Sequence, residues 1–262
     1  MRPNPAWAEK AIKASLPAMR KMVGQRRLPD PQKELGCGYF GCVYATSDKR
    51  VVVKLTTDPT ESAFWAATMM SHQVGGLVFA YNIGQLGNLK HKKRPVIAVW
   101  REAASRVGLD LEDKSTKSFV ELLGEFAAFA DMAKNNILEL EWDNQAWTKA
   151  ISVMHEEFSG RQLASLLRKE PPDDVGVRVG ILLAKCHEIA DRMSDDPDGR
   201  YVGDGLLWAL YSGWLLSDVH PGNVGQVVRD GRRVWVITDP GLAIPLFSGH
   251  LVEIPVLEVD RD

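Results

Sequence analysis

Three glycines within six positions, Gly36, Gly38 and Gly41, lead into an apolar segment, Val43-Tyr44-Ala45, then a polar turn, Ser47-Asp48-Lys49, then a second apolar segment, Val51-Val52-Val53. Two apolar runs around a polar turn read as strand, turn, strand. Glycines let a backbone approach phosphate oxygens closely and present N–H groups to them. Taken alone such a cluster is a weak signal, because a dinucleotide-binding fingerprint uses the same residues, but that fingerprint opens a helix. Here the glycines open a strand, so the expected structure is a flap carried on a hairpin. Lys54 ends the second strand eleven residues after Val43, and a hairpin sets its ammonium beneath the flap. A cation in that position can hold α- and β-phosphates. A lysine at a strand end is otherwise a solvated charge; the adjacent glycines reverse that reading.

The rest of the chain supplies a scaffold around this hairpin. Apolar residues Ile12, Leu16, Met19 and Met22 recur at helical spacing, which predicts an amphipathic helix from Trp7 to Met22, bent near Pro17. Asp58 and Pro59 read as the N-cap and first residue of a helix running to about Val74, with Glu61 at the capping-box position. Pro95 to Trp100 is a short apolar run bounded by charges, as expected of a buried strand. Helices are predicted over Phe119 to Lys134, Leu163 to Lys169, Val177 to Met193 and Leu206 to Leu215, with breakers at Pro171-Pro172 and from Asp195 to Gly199. Near the end, Val224 to Val228 and Val234 to Thr238 flank Asp230-Gly231, a strong signal for a tight hairpin.

At 262 residues the chain is long enough for one large domain or two lobes around a cleft. Its net charge of -2 sets up no bulk attraction to nucleic acid or to a membrane surface. The N-terminus has no apolar signal core, and no apolar run is long enough to cross a bilayer. Cys37, Cys42 and Cys186 are too few for a disulfide framework and lack metal-ligand spacing, which fits a reducing cytoplasm. Cys37 and Cys42 flank the glycine loop; thiolate reactivity depends on a lowered pKa, so they are read as small structural residues. The basic run Lys90 to Arg94 is read as a solvated turn. Trp142, Trp147, Trp208 and Trp214 are read as core, and Trp100 as the exception, near the nucleotide.

The acidic chemistry lies in two late motifs, Ser217-Asp218-Val219-His220-Pro221-Gly222-Asn223 and Thr238-Asp239-Pro240-Gly241. Magnesium takes hard oxygen ligands from one or two protein groups together with substrate phosphates, and Asn223 and Asp239 are of that type. Asp218 is the candidate to orient an attacking hydroxyl and accept its proton. His220 either contacts phosphate or steadies its own loop.

In their order along the chain, Gly36 to Val43, Lys54, Asp218 to Asn223 and Asp239-Pro240-Gly241 resemble the motifs of the protein-kinase-like superfamily. The Asp218 to Asn223 segment looks like that of aminoglycoside phosphotransferases, and the combination resembles phage-encoded serine/threonine kinases. The resemblance implies an α+β, bilobal protein-kinase-like fold with a small antiparallel β-sheet lobe and a compact, helix-rich second lobe. It implies an N-terminal helical extension over 1–30, the sheet lobe over 31–101 and the helical lobe over 102–262. It also implies ATP and Mg2+ as cofactors, with a protein or small-molecule hydroxyl as acceptor. Gly36, Gly38 and Gly41 would then face the phosphates, Val43 and Val52 would cover adenine, and Trp100, Arg101, Glu102 and Ala103 would form the hinge that contacts it through its backbone.

Departures from the family pattern bear on regulation and substrate. Kinase folds pair the strand lysine with a glutamate on the next helix, and Glu61 is the only acidic residue between Asp58 and Glu102. It either pairs with Lys54 or merely caps its helix. Leu216-Ser217 replaces the usual His-Arg, and Pro240 the phenylalanine of Asp-Phe-Gly, which speaks against control by a phosphorylated activation loop. Only 23 residues follow Asp239, so the second lobe is expected to come from residues 105 to 215. The leading expectation is a serine/threonine protein kinase, with a small-molecule kinase and a nucleotide-binding pseudokinase as rivals.

Overall fold

A computed structural model of the chain describes residues 13, 16–17, 20, 28–38, 41–71, 74–86, 95–105, 109, 115–139, 142–154, 174–247 and 256–257. The chain divides into two compact units, one of Met1–Gln73, Val78–Ala103 and Leu251–Asp262, the other of Val74–Leu77 and Ala104–His250. The expected α+β class holds: the first unit carries a mainly antiparallel sheet and the second is rich in helices. No helix among the described residues is long and apolar enough to cross a membrane.

In the first unit, strands β1 (Pro31–Cys37), β2 (Gly41–Thr46) and β3 (Val51–Thr56) form consecutive antiparallel pairs. Asp48 closes the β2–β3 turn, its carbonyl accepting from the Val51 N–H at 2.9 Å and its Oδ1 from the Arg50 N–H at 2.9 Å. Two further strands, β4 (Ala80–Leu86) and β5 (Ile97–Glu102), complete the antiparallel part in the order β1-β2-β3-β5-β4. The predicted strand at Pro95 to Trp100 is therefore displaced by two residues, and β4 had no sequence expectation. A final two-residue strand, β10 (Val256–Leu257), returns from the far end of the chain to pair parallel with β4.

Strand residues alternate between the two faces of a sheet. Through the register Tyr44↔Val53↔Trp100, one face gathers Cys42, Tyr44, Val53, Leu55, Ala98 and Trp100. These bury together with Leu86 and Val96, and Leu16 and Leu28 pack against them. Each large side chain so buried contributes about 1.5–3 kcal/mol. The register Val43↔Lys54↔Val99 puts Val43, Val52, Lys54, Thr56 and Arg101 on the opposite face.

Helix α1 (Pro59–Met70) packs against β3, β4 and β5. Asp58 caps it as predicted, accepting from the Thr60 N–H at 2.9 Å, with Pro59 in the first turn where its missing N–H costs nothing. The helix ends at Met70 rather than near Val74, and Ser71 closes it by donating to Ala67 O and Thr68 O. The predicted helix from Trp7 to Met22 lies largely outside the described residues; Lys13, Leu16, Pro17 and Arg20 are helical.

In the second unit, α2 (Lys117–Glu139), α3 (Asn144–Met154) and α5 (Arg200–Tyr211) each pack against α4 (Val175–Ser194). Val179, Leu183, Cys186, Ile189, Ala190 and Met193 form the fully buried stripe of α4. The expected helix over Leu206 to Leu215 is corrected: it begins at Arg200 and stops at Tyr211, because Gly213 at φ 76° turns the chain into strand β6 (Trp214–Leu216). Helix α3 was not expected, and the Leu163 to Lys169 prediction falls outside the described residues.

The late hairpin is as predicted. Strands β7 (Val224–Arg229) and β8 (Arg232–Ile237) pair antiparallel around Asp230 and Gly231, whose φ values of 50° and 76° match the type I′ turn that suits strand twist. Strand β9 (Ala243–Pro245) then pairs with β6. Residues 74–77 lie in sequence between α1 and β4 but belong to this second unit. Gly76 O accepts from the Ile237 N–H at 2.9 Å, Leu77 bridges to Ile237, and Leu77 O accepts from Arg229 Nη2 at 3.3 Å.

Candidate active site

The glycine flap is built as a β-hairpin. Gly36 pairs with Val43 and Cys37 with Cys42, and the Gly38 N–H donates to Gly41 O at 2.8 Å. Gly41 is required by close approach: a side-chain carbon there would fall 2.5 Å from Leu55 O, 3.2 Å from Lys54 Cε and 3.2 Å from Thr56 Cα. The lysine stem thus passes close to Gly41. Cys37 and Cys42, read as small structural residues in a chain with too few cysteines for a disulfide framework, are instead joined in a disulfide across the base of the loop. Their cross-strand register brings the two residues together, with Cα atoms 4.0 Å apart.

Lys54 is buried, and its Nζ lies 2.7 Å from Glu61 Oε1. Glu61 is equally buried, on the first turn of α1. The choice between ion pair and capping box is therefore settled by geometry. The Asp58 N–H, which a capping-box glutamate would accept, goes instead to Thr56 Oγ1 at 3.1 Å. Glu61 reaches Lys54 from only seven residues further along the chain because Thr57 and Asp58 alone connect β3 to α1.

Val43 and Val52, the residues expected over adenine, are half-buried on the same sheet face as Lys54. Trp100 is not: its indole belongs to the opposite, core face, with 1% exposure, and its Nε1 donates to Pro29 O at 3.2 Å. The exception made for this tryptophan is withdrawn, since alternation along β5 turns its ring away from Lys54. Arg101 faces the Lys54 side, buried, with its guanidinium 5.6 Å from the centre of the Trp65 ring. The Glu102 N–H donates to Phe79 O at 2.8 Å and the Ala103 N–H to Arg50 O at 2.8 Å, so both hinge donors are already engaged.

In the second unit, β6 delivers the chain to Asp218. Ser217 anchors the approach, its N–H and Oγ both donating to Leu242 O, at 3.2 and 3.1 Å. Asp218 is exposed while Val219 beside it is fully buried, which fixes the carboxylate outward. Pro221–Asn223 form a 3-10 turn capped by His220, whose Nδ1 accepts from the Gly222 N–H at 3.0 Å. This is the loop-steadying role for His220. Asn223 Nδ2 donates to Asp218 O at 2.7 Å, which leaves its Oδ1 as a hard oxygen donor.

The second acidic motif is tied to the first. Asn223 O accepts from the Thr238 N–H at 2.8 Å, from Thr238 Oγ1 at 3.0 Å and from the Asp239 N–H at 3.3 Å. The Gly241 N–H donates to Asp239 Oδ1 at 3.1 Å. Asp218, Asn223 and Asp239 thus sit on adjoining turns held by one another's backbones. Among the described residues no group of three or more His, Cys, Asp or Glu is placed to hold a metal ion. Asn223 and Asp239 bring side chains with hard oxygen atoms, the type magnesium takes, to these adjoining turns.

Sequence reasoning passed over four contributors: Ser217 as an anchor, Gly241 as close packing, and Thr56 and Trp65 beside Glu61. Thr56 had a usable signal, lying two residues beyond Lys54 in one strand and so on the same face.

No protein-family model matches the chain. No curated protein matches it. Among solved structures it is similar to a thermostable mutant of aminoglycoside phosphotransferase APH(4)-Ia in its apo form, with 10% identity and a TM-score of 0.34, covering 85% of this chain and 71% of that one. A likeness at that level assigns no activity.

Proposed function

We propose that the chain is a phosphotransferase that moves the γ-phosphoryl group of Mg-ATP to a hydroxyl. The observation that carries this reading is the buried Lys54–Glu61 pair beneath a glycine hairpin, with Nζ 2.7 Å from Oε1. A buried ion pair is a poor device for stability alone, because desolvation offsets most of its attraction. Its use is to hold an ammonium where phosphate oxygens arrive. Gly36, Gly38 and Gly41 let phosphate oxygens approach the loop closely for want of side chains, and Val43 and Val52 present an apolar surface to the base.

Asp218 accepts the proton of the attacking hydroxyl and orients its oxygen for in-line attack. Asn223 Oδ1 and the Asp239 carboxylate are the groups that would hold magnesium, which when bound neutralises charge on the phosphates. His220 keeps the turn in shape through its bond to Gly222. The acceptor we favour is a serine or threonine of a protein, with a small-molecule hydroxyl as the alternative. Such chemistry belongs with cytoplasmic ATP, where thiol reductants would open the Cys37–Cys42 bond.

Incubation with γ-labelled ATP and Mg2+, with cell lysate in one arm and small hydroxylated acceptors in the other, tests the reading. Label on protein, lost in Asp218→Asn while nucleotide binding persists, supports a protein kinase; label only on small molecules moves the acceptor class. Nucleotide binding with equal inactivity of wild type and Asp218→Asn in both arms supports a pseudokinase, and no Mg-ATP binding at all sinks the nucleotide site.

A further inference from the structure

Glu61 is held from three directions. Besides Lys54, its Oε2 accepts from Thr56 Oγ1 at 2.9 Å and its Oε1 from Trp65 Nε1 at 3.3 Å. Both carboxylate oxygens are therefore engaged in a buried setting, by one side chain from β3 and one from the next turn of α1. Thr56 is used twice, because the same hydroxyl accepts the Asp58 N–H and so ties the helix cap to the strand. Trp65 is itself fully buried and backed by the Arg101 guanidinium. Glu61 also sits in the first turn of a capped helix that only two residues join to β3.

We propose that Thr56 and Trp65 are positioning residues that hold Glu61 on Lys54, so that the lysine is set for phosphate binding by the fold itself and not switched by movement of the helix. This rests on the phosphotransferase reading. A carboxylate fixed at both oxygens presents one geometry to Lys54; with the Thr56 hydroxyl gone, Oε2 loses one buried donor, the carboxylate turns, and the ammonium moves with it. The effect is specific to phosphate-bearing ligands, since adenosine alone does not meet Lys54.

The test compares Thr56→Val, Thr56→Ser and Trp65→Phe with wild type for binding of Mg-ADP and of adenosine, with folding followed by thermal melting. Thr56→Val is expected to weaken Mg-ADP about tenfold and to leave adenosine unchanged. Thr56→Ser restores the wild-type value, and Trp65→Phe, which deletes only one N–H donor, gives a smaller loss in the same direction. If Thr56→Val does not fold, Trp65→Phe carries the comparison alone. Mg-ADP binding indifferent to these changes, or parallel losses of Mg-ADP and adenosine, overturns the inference and leaves the phosphotransferase reading standing. Failure of wild type to bind either ligand overturns both.

Discussion

Gly241 is packed directly against Asp218: a side-chain carbon at Gly241 would lie 2.3 Å from Asp218 Cβ and 3.0 Å from its carbonyl oxygen. Gly241 also has φ 61°, a left-handed backbone that costs other residues about 1–3 kcal/mol. Gly241→Ala is therefore expected to displace Asp218 and to lower stability together. A shift near 1 Å in a reacting group costs roughly a hundredfold in rate. Phosphoryl transfer should fall by about that factor with nucleotide affinity retained, and melting temperature should drop; unchanged transfer would show that the contact does not set Asp218.

Glu61→Ala removes the carboxylate 2.7 Å from the buried Lys54 ammonium, and removing one partner of a buried pair costs about 3–5 kcal/mol. The double change Lys54→Met, Glu61→Leu removes both charges and is expected to recover much of that loss while remaining inactive. Urea denaturation of the two variants beside wild type measures the difference.

The three cysteines should separate by accessibility. Cys37 is exposed, Cys42 is buried and bonded to it, and burial pushes the Cys186 thiol well above its usual range. Protein prepared without reductant should give almost no thiol titre in the native state. Mild reduction should release Cys37 and Cys42, and Cys186 should react only after unfolding; alkylation followed by mass spectrometry identifies each. Free Cys37 and Cys42 before reduction would rule the bond out.

Asp174 caps α4, accepting from the Val177 N–H at 3.1 Å, and pairs with Lys149. The Lys149 ammonium first, and the Val177 N–H second, hold its carboxyl below the usual 3.8. A carboxyl whose folded pKa is depressed stabilises the protein above its unfolded pKa, and that contribution disappears as pH falls through the folded value. The melting-temperature gap between wild type and Asp174→Ala should be present at neutral pH and shrink in acid below 3.8.

What could be read from sequence was what rests on local chemistry. The Asp230-Gly231 turn, the Asp58 cap and the run from the glycines to Lys54 were legible because turn residues, caps and two-residue alternation act within a few positions. Glu61 was undecided, since a carboxylate at that position serves a cap or an ion pair equally well, and only the Thr56 hydroxyl taking the Asp58 N–H frees it. Trp100 was misread because proximity in sequence to the expected hinge says nothing about which sheet face a strand residue takes. The Cys37–Cys42 bond depended on cross-strand register, which a count of three cysteines does not contain. Leu215 carries the apolar character of a buried helix or strand alike, and the turn at Gly213 decided between them.

The second unit is assembled from two separate stretches of chain, residues 74–77 and 104–250. The first of these supplies Gly76 and Leu77 to Ile237 and Arg229 from a stretch encoded inside the sheet unit. A gene fragment beginning at residue 104 would encode the helices and the Asp218 turn yet leave the Ile237 edge without Gly76 and Leu77. A truncation at a single breakpoint near residue 104 would therefore remove residues 74–77 of the second unit together with the first.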